Sequence, residues 1–273
     1  MSSFRAACVQ LCSSDDVQEN VQVASDLICE AKNKGAQFIA TPENTTLMAP
    51  DGGAKLENSS PEDHDPALPQ FRVLAEELGV WLLIGSLPIK TSDSKTANRS
   101  FLINPKGTIA ARYDKVFLFD VDLPSGETYR ESNTVAAGNR ATVADLPWGR
   151  LGMSICYDLR FPQLYRRLAQ AGSSFLAVPS AFTETTGKAH WHVLLRARAI
   201  ESGAFVIAPA QGGMHANGRQ TFGHSMIVGP WGEVLAEAGT GPCVISADID
   251  PDAVKIARQR VPSLRHDREF NGP

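Results

Sequence analysis

The sequence predicts an α/β fold of mixed sheets covered by helices, and three observations carry that expectation. Short apolar runs alternate with segments of helical periodicity. Two pairs of runs are joined by turn words, Asn104-Pro105-Lys106-Gly107 and Pro147-Trp148-Gly149, so hairpins interrupt the alternation and argue against a purely parallel sheet. No Pro/Gly/Ser-rich linker and no short repeat divides the 273 residues, so 1–273 is read as a single domain.

The elements follow in order. Residues 4–11 form an apolar run, a first strand. Ser13, Ser14 and Asp15 are candidate caps for a helix whose apolar face is Val17, Val21, Ala24, Leu27, Ile28 and Ala31, ended by Gly35. Residues 38–41 read as a buried strand closed by Pro42-Glu43. Residues 48–66 lack periodicity and read as a loop. Leu68, Phe71, Leu74, Ala75 and Leu78 make the next helical face, Gly79 stops it, and 80–86 is a strand. Residues 99–104 and 108–114 flank the first hairpin turn, 120–140 are polar and irregular, and 141–146 and 150–156 flank the second. A helix over 161–171 ends before Gly172. Then come a strand at 174–178, a helix at 189–202, a strand at 204–208 and a Gly-rich loop at 210–223. Strands at 224–228, 233–238 and 243–248 follow, and Asp250-Pro251 starts a short helix. The tail from about 261 has few apolar anchors.

Composition removes several function classes. With 43% hydrophobic and 21% charged residues the chain is neither disordered nor fibrous, and a net charge of −4 leaves no basic field for nucleic acid or anionic lipid. The longest apolar runs, such as 80–85, fall far short of the ~18 residues that span a bilayer. The N-terminal residues lack a charged-then-apolar signal pattern. The five cysteines are odd in number and widely spaced, which suits a reducing, cytoplasmic setting, and no Cys-x-x-Cys pair suggests a zinc site. Four of them read as buried packing thiols. Neither G-x-G-x-x-G nor a Walker loop is present, so no cofactor is called for.

Three polar residues stand where buried strands end: Glu43, Lys115 and Cys156. Strand ends on one edge of a sheet are where α/β enzymes gather reactive groups. A carboxylate, an ammonium and a thiol make a complete kit for acyl transfer. Glu43 would take the thiol proton. Lys115 would favour the thiolate and then face the oxyanion, and the Tyr157 N–H would be a second oxyanion donor. The thiolate should then react first with iodoacetamide. Taken singly, none of the three is convincing: each reads first as a packing thiol or a solvated strand tip.

Three words surround these residues: Thr41-Pro42-Glu43, then Tyr113-Asp114-Lys115 with Leu118-Phe119-Asp120, then Cys156-Tyr157-Asp158-Leu159-Arg160-Phe161-Pro162. They resemble the three motif blocks of the nitrilase superfamily, the carbon–nitrogen hydrolases. Thr186-Gly187, Ala189-His190-Trp191, Arg196-Ala197-Arg198-Ala199-Ile200-Glu201, Gly223-His224-Ser225-Met226 and Gly229-Pro230-Trp231-Gly232 resemble its later segments. The resemblance implies a four-layer αββα sandwich with two mixed sheets. It makes Glu43, Lys115 and Cys156 the catalytic triad and Glu131 a supporting carboxylate. It also implies a homodimer or higher homo-oligomer, with the tail from about 261 at the contact. The implied chemistry is hydrolysis of a small amide through a thioester, releasing a carboxylate and ammonia.

Within the superfamily the Cys block, Ser180-Ala181-Phe182 and His190-Trp191 look like the small-acid amidases. Two activities compete there: hydrolysis of deaminated glutathione, favoured by Ala210-Gln211 with Gly223-His224-Ser225-Met226, and ω-amidase action on 2-oxoglutaramate. Arg160 would hold a substrate carboxylate, or else form a structural ion pair with Asp158 or another acid. Phe182 and Thr186 match pocket positions. N-carbamoyl amino acid hydrolases and nitrilases share the triad, and a scaffold protein retaining the fold would leave Cys156 inert. His190 and His192 lie two apart on a helix and so point to different faces, and with His215 and His224 they are not read as a metal site. The family pattern usually has an acidic or amide residue where His192 stands, so that helix's local contacts are open.

Overall fold

The computed structural model describes residues 2–123 and 126–272. Strands β1 (Phe4–Gln10), β2 (Phe38–Ala40), β3 (Trp81–Ser92), β4 (Lys95–Ile103) and β5 (Ile109–Asp114) follow in the first part of the chain. A small hairpin, β6 (Asp120–Asp122) and β7 (Thr128–Arg130), comes next. Then come β8 (Thr142–Leu146), β9 (Gly149–Met153), β10 (Ser173–Ala177) and β11 (Phe205–Ala208), and a second small hairpin of β12 (Gly212–Met214) and β13 (Gln220–Phe222). β14 (Met226–Val228), β15 (Val234–Glu237) and β16 (Cys243–Ile249) complete the set. The helices are α1 (Val17–Asn33), α2 (Gly52–Glu57), α3 (Leu68–Leu78), α4 (Pro162–Gln170), α5 (Glu184–Ser202) and α6 (Asp252–Arg260).

Two six-stranded sheets result, ordered β16-β1-β2-β3-β4-β5 and β15-β14-β11-β10-β9-β8. Both are mixed: β1, β2 and β3 run parallel, as do β9, β10 and β11, while the hairpins and the closing strands run antiparallel. The period of two along a strand sorts the layers. In β1, Ala7 and Val9 pack with Val21, Ala24 and Ile28 of α1 and with Phe71 and Ala75 of α3. Ala6 and Cys8 face the other way and join Met153, Phe175 and Ile207 of the second sheet. The outer face of that sheet is covered by Leu164 and Leu168 of α4 and by Trp191 and Leu195 of α5. The order of layers is therefore helix, sheet, sheet, helix, as expected. Phe4 fastens the two sheets, stacking on Trp148 at a centroid distance of 4.1 Å and meeting Phe175 edge-on.

Several expected boundaries are corrected. Asp16, not Ser13, Ser14 or Asp15, caps α1, its carboxylate accepting from the Gln18 and Glu19 N–H groups. The stretch 48–66 contains α2, capped by Asp51, and a 3₁₀ turn at Glu62–His64. Strand β3 runs six residues past 86. Helix α5 starts five residues before 189, because the Thr183 hydroxyl caps it by accepting from the Thr186 N–H. The irregular stretch 120–140 holds β6 and β7, with positions 124 and 125 outside the described residues, and the Gly-rich loop 210–223 holds β12 and β13. Three-residue strands in polar sequence carry too little periodicity to be read. Of the four cysteines other than Cys156 only Cys8 is buried; Cys12, Cys29 and Cys243 are part-exposed, and all five are free thiols.

Candidate active site

Glu43, Lys115 and Cys156 leave three different strand ends and meet at the base of one cavity of about 500 Å³. All three are nearly sealed from solvent, at 3%, 2% and 7% exposure. Glu43 follows β2 through Thr41 and Pro42. That segment runs so close to β3 that a Cβ at Gly85 would stand 2.1 Å from the Thr41 carbonyl oxygen, so only glycine fits there. Lys115 follows β5. Cys156 follows β9 and opens a 3₁₀ turn, Cys156–Arg160, at φ +50°, a left-handed conformation that costs a non-glycine residue on the order of 1–3 kcal/mol. Its N–H donates to the Pro179 carbonyl at 2.9 Å.

The turn is fixed by Asp158, which is fully buried. One of its oxygens accepts from the Tyr113 hydroxyl at 2.7 Å and the Ile155 N–H at 2.8 Å, and the other from the Phe117 N–H at 2.9 Å. Burial outweighs these bonds and raises its carboxyl to about 6. Asp158 is thus committed to the backbone and to Tyr113. Arg160 instead lies 3.3 Å from His190 Nδ1 and over the rings of Phe182 and Tyr157. The pairing of Arg160 with Asp158 is therefore set aside.

The polar network has two carboxylates on one ammonium. Lys115 Nζ donates to Glu43 Oε1 at 2.8 Å and to Glu131 at 2.9 and 3.2 Å. Asn98, in β4, donates to the same two carboxylates at 2.9 and 3.2 Å. The Ala181 N–H reaches Glu43 Oε2 at 3.0 Å, and the Phe119 N–H reaches Glu131 Oε2 at 2.7 Å. Burial disfavours charge on Lys115, yet Glu131 and Glu43 together hold its affinity for a proton well above the ordinary lysine range. Burial likewise opposes charge on Glu43, and Lys115 together with a hydrogen bond from Cys156 outweighs it, so Glu43 stays ionised well below the usual carboxylate range.

Cys156 goes the opposite way. Burial first, then the Glu43 charge, push its thiol up, and Lys115 offsets this only in part. The expectation that Lys115 favours a standing thiolate is corrected: burial and the charge of Glu43 outweigh Lys115, so the thiol holds its proton more tightly than a free one. Because the folded thiol binds its proton more tightly than a free one, the thiolate fraction rises about tenfold per pH unit from 6 to 9. The alkylation rate of Cys156 by iodoacetamide, mapped by peptide, is expected to climb with that slope; a plateau below pH 7 would contradict this protonation state.

Every residue singled out from the sequence lines this cavity: Glu43, Lys115, Cys156, Glu131, Tyr157, Arg160, Phe182 and Thr186. Sequence reasoning missed Asn98, Lys55 and Arg219. Lys55 and Arg219 also line the cavity. Asn98 sits inside a strand and the other two in stretches read as loops, so none carried a local signal. His190 and His192 point to different faces of α5, but His192 and His224 come together on Glu237. His190 meets Arg160, while His192 Nε2 lies 3.1 Å and His224 Nδ1 2.8 Å from the same oxygen of Glu237. These three side chains bring their ligand atoms within 4.8 Å of one another, a cluster the sequence did not indicate. Among the described residues no helix is long and apolar enough to cross a membrane.

The family model for carbon-nitrogen hydrolases matches residues 5–259. A deaminated glutathione amidase of Synechocystis sp. is 44% identical over 271 residues, covering 97% of this chain and 98% of the relative. The crystal structure of Saccharomyces cerevisiae Nit3, described as a member of branch 10 of the nitrilase superfamily, superposes with a TM-score of 0.88 at 30% identity, covering 98% of this chain and 97% of that one. A glutamate-to-glutamine variant of an amidase from Nesterenkonia sp. AN1 superposes with a TM-score of 0.82 at 26% identity, covering 97% and 94%. That structure carries the acetamide moiety of fluoroacetamide on its active-site cysteine. The chain belongs to the carbon–nitrogen hydrolase family, a member of the nitrilase superfamily that hydrolyses non-peptide carbon–nitrogen bonds.

Proposed function

We propose that Cys156 is the nucleophile of an amidase acting on a carboxylated 2-oxo acid amide, deaminated glutathione being the substrate. The observation that carries this reading is the set of side chains at the base of the cavity: Glu43 bonded to Lys115 beside the buried Cys156 thiol. Glu43 takes the thiol proton as sulfur attacks the amide carbon. The oxyanion forms beside Lys115 and the Tyr157 N–H, which heads a turn where N–H groups lack a partner within the helix. The C–N bond breaks as Glu43 passes its proton to the leaving nitrogen. Water then attacks the thioester, giving its proton to Glu43, and the C–S bond breaks as that proton returns to sulfur. Glu131 positions Lys115. Arg160, Phe182 and Thr186 contact the acyl part.

In deaminated glutathione the scissile nitrogen belongs to a dipeptide, so the departing amine is cysteinylglycine. Ammonia leaves only from primary amides such as 2-oxoglutaramate, the ω-amidase substrate. The support for the first substrate is the 44% identity to a deaminated glutathione amidase over nearly the whole chain. A panel of deaminated glutathione, 2-oxoglutaramate, an N-carbamoyl amino acid and a nitrile is expected to give the highest kcat/KM on the first, by about tenfold or more over the second. A preference for any other member overturns the assignment. A cytoplasmic homodimer belongs to the same reading, supported by the five free thiols and by the exposed apolar side chains Val193 and Ile200 on α5. Sedimentation equilibrium reads the assembly. The tail is less loose than its composition suggests, since Arg166 of α4 holds the Ser263 carbonyl at 3.0 Å and the Asp267 carboxylate.

A further inference from the structure

The cavity holds more positive charge than its chemistry uses. Glu43 and Glu131 are committed to Lys115, and Asp51 caps α2 through the Ala54 N–H. Arg130 is neutralised by Asp122. Lys55, Arg219 and Arg160 remain, all lining the same space. Lys55 Nζ has a neutral partner, Asn44 Oδ1 at 3.2 Å. Arg219 Nη2 donates to the Ala181 carbonyl at 2.6 Å, its guanidinium lies over the Tyr129 ring, and its Nε is buried with no hydrogen-bond partner. Burial lowers the proton affinity of Lys55, and Lys115 and Arg219 add to this while Glu131 and Glu43 oppose it. By contrast Arg5, Arg99, Arg150 and Arg166 each hold a carboxylate.

The position of the two cations says which part of a substrate they face. An amide bound for attack has its acyl carbon at Cys156 and its nitrogen toward the acid that will protonate it, Glu43. Lys55 is held by Asn44, the residue after Glu43, and Arg219 by the carbonyl of Ala181, whose N–H grips Glu43. Both therefore stand on the Glu43 flank. Arg160 belongs to the turn that begins at Cys156, its guanidinium over the Tyr157 and Phe182 rings.

We propose that Lys55 and Arg219 form a second carboxylate subsite, one that binds an anionic group on the departing amine rather than on the acyl part. This rests on the amidase reading above and adds to it a selectivity for amides whose amine half ends in a carboxylate. A guanidinium with an unmet N–H and an ammonium with a neutral partner are the groups a carboxylate would satisfy by charge-assisted hydrogen bonds.

The test is the ratio of kcat/KM for deaminated glutathione, charged on both halves, to that for 2-oxoglutaramate, charged on the acyl half only. Lys55→Met and Arg219→Met are each expected to lower that ratio about 10- to 100-fold, chiefly through KM on deaminated glutathione, with Lys55→Arg and Arg219→Lys recovering part of it. A ratio unchanged in both Met variants overturns the subsite, because a purely structural role lowers both substrates alike. Calorimetry with cysteinylglycine and its C-terminal amide gives a readout that does not depend on turnover. The acid should bind wild type more tightly than the amide, and that difference should vanish in Arg219→Met. Failure of wild type to hydrolyse either substrate would overturn the amidase reading, while equal binding of the two dipeptides would overturn the subsite alone.

Discussion

Replacing Cys156 by alanine is expected to abolish turnover, by on the order of 10⁴-fold or more, while the protein remains folded. The side chain is small and its environment is held by other groups: Asp158 fixes the turn, and Glu43 retains its bonds from Lys115, Asn98 and the Ala181 N–H. Alanine at φ +50° bears the same backbone strain as cysteine, so the melting temperature should stay within a few degrees. Cys156→Ser should also be severely impaired, because Glu43 would have to ionise an alcohol in place of a thiol. Steady-state kinetics on an amide substrate, paired with thermal melting, checks both variants. Full activity in the alanine variant would end the mechanism.

Lys115→Met is expected to cost both activity and stability. The ammonium is the main counter-charge to Glu43 and Glu131, and removing one member of a buried ion pair typically costs about 3–5 kcal/mol. The pH dependence should also change sign. In wild type the depressed Glu43 contributes stability that is present above the unfolded carboxylate pKa of about 4.3 and is lost as pH falls through its lower folded value. In the variant the two carboxylates face each other through Asn98, so one is driven to hold a proton and its folded pKa rises. Stability contributed by that group is present below about 4.3 and lost as pH rises through the new folded value. Urea denaturation at pH 5 and pH 8 should therefore show the variant's deficit to be larger at pH 8. Glu131→Gln in the same background should recover part of it. An equal deficit at both pH values would show that the network is not held by charge.

What the sequence disclosed and what it hid divide along physical lines. Glu43, Lys115 and Cys156 were legible because each follows a strand end and sits in a distinctive word. Mixed sheets covered by helices were legible from alternating strand and helix patterns and the hairpin turns, while the four layers followed from the resemblance of the three motif words. Asn98 was not, since an Asn within β4 looks like any strand interior until the fold brings it 2.9 Å from Glu43. Asp158 stood in the quoted Cys block, yet its three bonds come from Tyr113, Ile155 and Phe117, two of them about forty positions away. Lys55 fell in a stretch whose Asp51-Gly52-Gly53 masks a short capped helix. The protonation of Cys156 could not be read at all, because it depends first on how deeply the thiol is buried and then on the balance between Glu43 and Lys115.

The three bonds of Asp158 have a mechanical consequence. Lys115 lies on the segment between Tyr113 and Phe117, and Cys156 between Ile155 and Asp158 itself, so one carboxylate staples the amine-bearing strand of one layer to the sulfur-bearing turn of the other. Shear between the layers would drag both reactive groups together instead of parting them. The spacing of the reacting atoms is thereby decoupled from the breathing of the sandwich that carries them.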